Sequence, residues 1–257
     1  MHLPTEVNNE LSLPDWLRPV AEVCESVEAA QLSRFLPPPD SRPRPAAVLV
    51  LFGDGAAGPD VLLLERAHGM RSHAGQVAFP GGAQDPDDAD EVAAALREAH
   101  EETGLDPDGV AVIGVLPSLS VPPSNFAVTP VVGWWHTPSD VSAVDAAETA
   151  SVHAVRLDEL LDPVNRATVR HPSGFLGPAF LVRDMVIWGF TANLLARLFA
   201  LAGWEIAWDA SRVVDLPSGP LTDLPSDLPS GLPSGLPSGV PSDARSHSDR
   251  RRPLVER

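Results

Sequence analysis

The chain has 257 residues, 44% of them hydrophobic, enough to fill one ordinary domain or two small ones. Thirty-five acids stand against eighteen arginines and no lysine, a formal charge of −17, which argues against binding nucleic acid or an anionic membrane. Cys24 is the single cysteine, so there is no internal disulfide and no cysteine-cluster zinc site; it reads as a buried helix residue. No basic-then-apolar leader and no apolar run of roughly 18–20 residues is present, so a cytoplasmic protein is expected.

In chain order, residues 1–14 read as loose. The spacing of Trp16, Val20, Val23, Val27 and Leu32 predicts a helix over Asp15–Phe35, interrupted at Pro19. Pro37 to Pro45 is a stiff connector. Ala46–Phe52 reads as a buried strand and Asp60–Arg66 as the next, with turn residues between them. A basic loop with two histidines, Arg66–Gly75, leads to a brief strand at Gln76–Phe79 and then to Pro80-Gly81-Gly82. Strands follow at Val110–Leu116, at Phe126–Trp135, where Pro130 demands an edge or a bulge, and at Ala150–Arg156. Leu157–Leu161 is a helical turn, Thr168–Arg170 and Phe180–Val182 form a hairpin, and Val186–Leu201 is the last helix. From Leu224 a four-residue LPSD/LPSG repeat runs to Ser242, followed by a basic end at Arg250–Arg252. Proline and glycine at that density leave no core, so 215–257 is expected to be disordered.

Helices flanking a mixed sheet make this an α/β or α+β layered domain. Its boundaries are 1–45 for an N-terminal helix and Pro-rich connector, 46–208 for the main domain and 215–257 for the tail.

The chemistry concentrates between Phe79 and Leu105. Asp88 or Asp90 caps a helix there and Gly104 ends it. Val92, Leu96, Ala99 and Thr103 step by four, three and four, predicting one buried stripe. Glu98 and Glu102 share a face, with Glu101 beside them. Like charges at this spacing repel, and a hard divalent cation would reverse that sign, since Mg²⁺ takes carboxylate and phosphate oxygens together. Three glutamates alone are more often a solvated helix face. The whole string Arg97-Glu98-Ala99-His100-Glu101-Glu102-Thr103-Gly104-Leu105 after a Gly-Gly turn is a far rarer pattern.

That string resembles the Nudix box, the signature of the Nudix hydrolases. Its second half is complete. In its first half, Gly82 lies fifteen residues before Arg97, one more than usual, and Ala89 stands where the first glutamate belongs, between Asp88 and Asp90. Upstream, Leu62-Leu63-Leu64-Glu65-Arg66, Ala67, Arg71, Gly75 and Phe79-Pro80-Gly81-Gly82 match the spacing of the motif that marks coenzyme A-cleaving Nudix enzymes, with Leu64 in place of its threonine. The longer loop with paired aspartates is also a trait of that subgroup.

The resemblance covers roughly Ala46 to Ala202 and implies a mixed sheet sandwiched between helices. It implies Mg²⁺ or Mn²⁺ on Glu98, Glu101 and Glu102, and hydrolysis of the diphosphate of coenzyme A or its acyl derivatives. Arg97 is then expected to orient a box glutamate. Arg66, Arg71, Gly75, Gly81 and Gly82 are expected at the substrate, since arginine binds phosphate bidentately and glycine admits close backbone approach. Glu148 is the candidate for a further acid, and a loop carboxylate with no role is an equal reading. His68, His73 and His100 read as structural or exposed.

The expected partner is a small diphosphate, with no nucleic acid and no membrane, and a homodimer is compatible with this reading. Three alternatives stand beside it: a Nudix pyrophosphatase for ADP-ribose, NADH or another nucleoside diphosphate derivative; a non-catalytic Nudix-fold ligand sensor; and an interaction protein working through its tail.

Overall fold

The computed structural model describes residues 12–35, 42–70, 73–121 and 124–216. Its N-terminal part holds helices α1 (Arg18–Ser26) and α2 (Ala29–Leu32), then strands β1 (Arg44–Gly55), β2 (Gly58–Arg66), β3 (Val77–Ala78) and β4 (Gly81–Ala83), and helix α3 (Glu91–Thr103). There follow β5 (Val110–Val115), β6 (Leu119–Val121), β7 (Phe126–Trp135), β8 (Thr149–Arg156), α4 (Leu157–Leu161), β9 (Arg166–Arg170), β10 (Leu176–Val182), β11 (Met185–Ile187), α5 (Gly189–Leu201) and β12 (Val213–Asp215).

β1 is buried on both faces. Ala47, Leu49 and Leu51 point into one apolar cluster, closed by Ala94, Ala95 and Ala99 of α3. Val50 and Phe52 point into a larger one, closed by α1, α2, α5 and the sheet of β9–β11. The period-two alternation of a strand, apolar on both sides, is why Ala46–Phe52 contains no polar residue. This is a mixed sheet between helical layers, as expected.

One edge of β1 runs parallel to β7 from Arg44 to Gly53. The other edge forks. β1 and β2 are antiparallel from Gly55↔Gly58 to Phe52↔Val61 and then part. β3 continues on β2 at Leu64 and Glu65, while β4 continues on β1 at Ala46, Ala47 and Val48. The Phe79-Pro80-Gly81-Gly82 crossing therefore fills the wedge between the parting strands. The Leu49 N–H donates to the Pro80 carbonyl at 2.8 Å, and Phe79 is buried in the larger core. A second sheet has the order β11-β10-β9-β12.

Several expectations shift. Pro19 lies in the first turn of α1, where its missing N–H costs nothing, and the helical run breaks instead at Val27–Glu28. Pro130 is on neither an edge nor a bulge: β7 lies between β1 and the pair β5 and β6. Its carbonyl accepts from the Leu116 N–H, so its missing donor faces the gap where β5 ends and β6 has not begun. The last helix starts at Gly189, because Met185–Ile187 pairs with β10. The fully buried residues of α3 are Ala94, Ala95, Ala99 and Thr103, with Val92 and Leu96 at the margin of the cluster.

The region placed before the main domain belongs to its core, since Leu17, Val20 and Val23 are buried there. Asp215, expected in the disordered tail, pairs with Arg170 in β12, and Leu216 is buried. Cys24 is partly buried on α1 as expected, against Gly114, and burial pushes its thiol up to about 11. The expectations for residues 1–11, the Pro37–Pro39 connector, Arg71 and the repeat tail with Arg250–Arg252 lie outside the described residues. No helix among the described residues is long and apolar enough to cross a membrane.

Asp90 caps α3, its side chain accepting from the Ala93 N–H at 2.8 Å. Asp90→Ala removes that acceptor and should cost about 1 kcal/mol, a fall in Tm of roughly 2–4 °C in scanning calorimetry. An unchanged Tm would show that the buried face alone fixes the helix.

Candidate active site

α3 begins on the Asp90 cap and ends at Gly104, which takes the left-handed conformation (φ 71°) and donates to the His100 carbonyl. Between these ends its polar face turns toward β4 and the wedge. His100 Nδ1 lies 2.9 Å from the Leu105 carbonyl, a local contact at the helix end. His68 pairs with Glu65 at 3.3 Å and His73 with Gln76 at 2.8 Å, both within the loop.

Arg97 is the hub of the helix face. Its Nε and Nη2 donate to the two oxygens of Asp88, each at 2.9 Å, and Nη2 also donates to the Ala83 carbonyl at 3.1 Å. Its Nη1 donates to Glu98 and to Glu101, each at 3.0 Å. The guanidinium holds the Asp88 carboxyl below the usual carboxylate range, and Asp88 with Glu98 pushes Arg97 further up. Asp88 is shielded, its side chain 6% exposed. Of the two aspartates expected as caps, Asp90 caps α3 and Asp88 is the counter-ion of Arg97. The acid missing at Ala89 is thus supplied one residue earlier. Only the pair of aspartates signalled this, because a loop-to-helix ion pair nine residues apart obeys no short-range spacing rule.

Glu102 sits deepest. It accepts from the Gly81 N–H at 2.9 Å, and Arg66 Nη1 lies 4.0 Å away. Burial pushes its carboxyl up to about 7; the Gly81 N–H and Arg66 oppose this, and the charges of Glu98 and Glu148 add to it. Glu98 is also raised, chiefly by burial, against the pull of Arg97. The glycines make this approach sterically allowed. A Cβ on Gly82 would stand 2.5 Å from the Glu98 carboxylate, and one on Gly81 (φ 153°) would stand 2.3 Å from the Ala47 carbonyl.

Arg66 ends β2 and faces Glu102, and its buried Nε has no partner among the described residues. Its backbone closes the loop, accepting from Gly75 and donating to Gln76. Gly75 (φ 68°) supports the loop from behind, with the His68 ring where a Cβ would stand. Glu148 is exposed, close enough for its charge to act on Glu102. A feature unseen in the sequence brings it there. Ser142 and Val144 donate to the Thr103 and Glu102 carbonyls at 2.9 and 3.2 Å, and Ala67 donates to the Glu148 carbonyl at 2.8 Å. The loop before β8 is therefore docked on the last turn of α3.

Among the described residues no three His, Cys, Asp or Glu side chains form a ready-made metal cage. Glu98 and Glu101 are drawn to Arg97, and Glu102 to the Gly81 N–H. The donor set nonetheless fits a hard divalent cation: carboxylate oxygens on one helix face, two of them desolvated against their own charge.

The Asp88–Arg97 pair has a pH signature. Because the folded pKa of Asp88 is depressed, its stabilisation is present above the ordinary aspartate range and lost as pH falls through the folded value. Asp88→Asn should lower Tm at neutral pH and flatten its decline between about pH 5 and pH 2. A decline as steep as in the parent protein would exclude the pair from acid stability.

The NUDIX domain family matches residues 42–172. The "uncharacterized Nudix hydrolase NudL" of Citrobacter koseri is 37% identical over 204 residues, 74% of this chain and 95% of that protein. Its namesake in Salmonella paratyphi B is 41% identical over 149 residues, 54% of this chain and 73% of the relative. Among solved structures, the Nudix hydrolase RenU of M. smegmatis aligns at a TM-score of 0.45 with 22% identity, over 62% of this chain and 86% of that one. With the family matched across half of its length and a relative aligned almost end to end, the chain belongs to the Nudix family of hydrolases.

Proposed function

We propose that this Nudix hydrolase cleaves the diphosphate of coenzyme A or its acyl derivatives, releasing 3′,5′-ADP and 4′-phosphopantetheine or its acylated form. The observation that supports this reading is the joining of two motifs at one carboxylate. Gly81 of the Phe79–Gly82 motif donates to Glu102, and Arg66 of the upstream motif lies 4.0 Å from the same group.

In this reading Glu98, Glu101 and Glu102 hold Mg²⁺ or Mn²⁺, which when bound neutralises phosphate charge and lowers the pKa of a bound water. Arg97 keeps Glu98 and Glu101 on the working face and is itself neutralised by Asp88. Arg66 meets the diphosphate with its fork of donors, joined by Arg71, and Gly81 and Gly82 let the substrate come close to the backbone. Glu148 accepts the proton of the attacking water, held beside Glu102 by its docked loop. The protein works on a small diphosphate in the cytoplasm.

The deciding measurement is hydrolysis of coenzyme A, acetyl-coenzyme A, ADP-ribose and NADH side by side with Mg²⁺ or Mn²⁺, products identified by mass. Release of 3′,5′-ADP at the highest kcat/KM is expected; preferred cleavage of ADP-ribose would replace the reading. Glu102→Gln should abolish turnover with the fold intact by circular dichroism.

Mg²⁺ should raise the Tm of the parent protein, as any ligand of the native state does, and raise that of Glu102→Gln far less. Equal gains would remove Glu102 from the ligands.

A further inference from the structure

Thr149 opens β8 and is 1% exposed, yet its Oγ1 has no hydrogen-bond partner among the described residues. Opposite it in the β2–β8 ladder stands Arg66, whose Nε is buried and unpartnered among the same residues. A hydroxyl accepts what a guanidinium N–H donates. Buried polar groups are costly when left alone, and here two of complementary kind face each other at one point of the sheet.

The backbone brings the two side chains together. Ala67 donates to the Glu148 carbonyl at 2.8 Å. That bond makes Arg66 and Thr149 a non-hydrogen-bonded antiparallel pair, the kind whose Cα atoms lie about 4.5 Å apart and whose side chains are closest. The face they share is the face of the site. One step back, Glu65 is opposite Ser151, whose Oγ donates to the Glu65 carboxylate at 3.2 Å. By alternation Arg66 points to the other face, and there it lies 4.0 Å from Glu102. Unbroken alternation would turn Thr149 the same way as Ser151, but the register skips Ala150 between the two pairs. This bulge turns Thr149 over to the side of Arg66, as bulges beside active sites re-aim a side chain. Thr149 also follows Glu148 directly, so both arrive on the loop docked against α3.

We infer that Thr149 is the positioning residue for Arg66: its hydroxyl accepts the Nε–H and so aims the two Nη groups at the diphosphate. This rests on the proposed contact of Arg66 with the diphosphate, and not on which nucleotide carries it. The 4.0 Å approach to Glu102 is too long to fix the guanidinium. One held donor removes much of the rotamer freedom of an arginine before its fork engages phosphate. Bonds of this kind are loose in the free enzyme and tighten in the complex with substrate. An apolar group of the same shape would serve the buried sheet at least as well as an unpaired hydroxyl.

The test is a double-mutant cycle on the full-length enzyme with Mg²⁺, using coenzyme A or whichever of the four diphosphates it cleaves fastest. Thr149→Val keeps the β-branched shape and removes the acceptor. It should lower kcat/KM about ten- to a hundredfold and leave Tm unchanged or higher. Thr149→Ser should restore most of the rate. In an Arg66→Ala background, Thr149→Val should cost less than about twofold more, because its partner is already gone. A full loss in that background, or a Thr149→Val enzyme at the parent rate, overturns the positioning role while leaving the Arg66 contact standing. An Arg66→Ala enzyme at the parent rate overturns that contact, and the role of Thr149 with it.

Discussion

The site depends on one cation. Arg97 reaches the loop through Asp88, the edge of β4 through the Ala83 carbonyl, and its own helix through Glu98 and Glu101. Without it, four acidic groups would crowd a small volume with no counter-charge, and carboxylates so placed repel one another. A rigid planar fork suits this task better than a flexible ammonium, because its donors diverge at fixed angles. Arg97 thus ties the loop to the helix while leaving Glu102, which it does not touch, to the backbone of the wedge.

The wedge has its own logic. Two antiparallel strands that part expose backbone groups on both inner edges, and buried groups of that kind must find partners. The short strands β3 and β4 satisfy them, one on each side. The chain crossing between them must be thin where α3 presses on it, and there Gly81 and Gly82 stand. The same crossing that completes the sheet delivers a backbone N–H to Glu102.

The sequence made the local parts of this legible. β1, β7 and α3 announce themselves by period and by their caps, and the position of the glutamates follows from helical geometry. What stayed hidden was set by distant partners. Nothing near Pro130 says that its missing donor would meet a gap between β5 and β6. Met185–Ile187 reads as helix by its apolar content and becomes a strand because Phe180–Val182 lies alongside. Asp88 could be named as an acid of interest, but its partner lies a loop away. The docking of Ser142 and Val144 on α3 uses backbone groups alone, which no side-chain pattern records.

Arg166 carries one more consequence. It lies inside the family match, at the start of β9, and is almost wholly enclosed, stacked between Phe180 and Trp208 and paired with Glu205. All three partners lie beyond residue 172, where the match ends. The span defined by kinship and the span that can fold are therefore different lengths. A protein trimmed to 42–172 would leave a charged side chain stripped of its aromatic housing, a sheet reduced to one strand, and β1 without the cover of α1 and α5. Among the described residues, the buried core extends from Leu17 to Leu216.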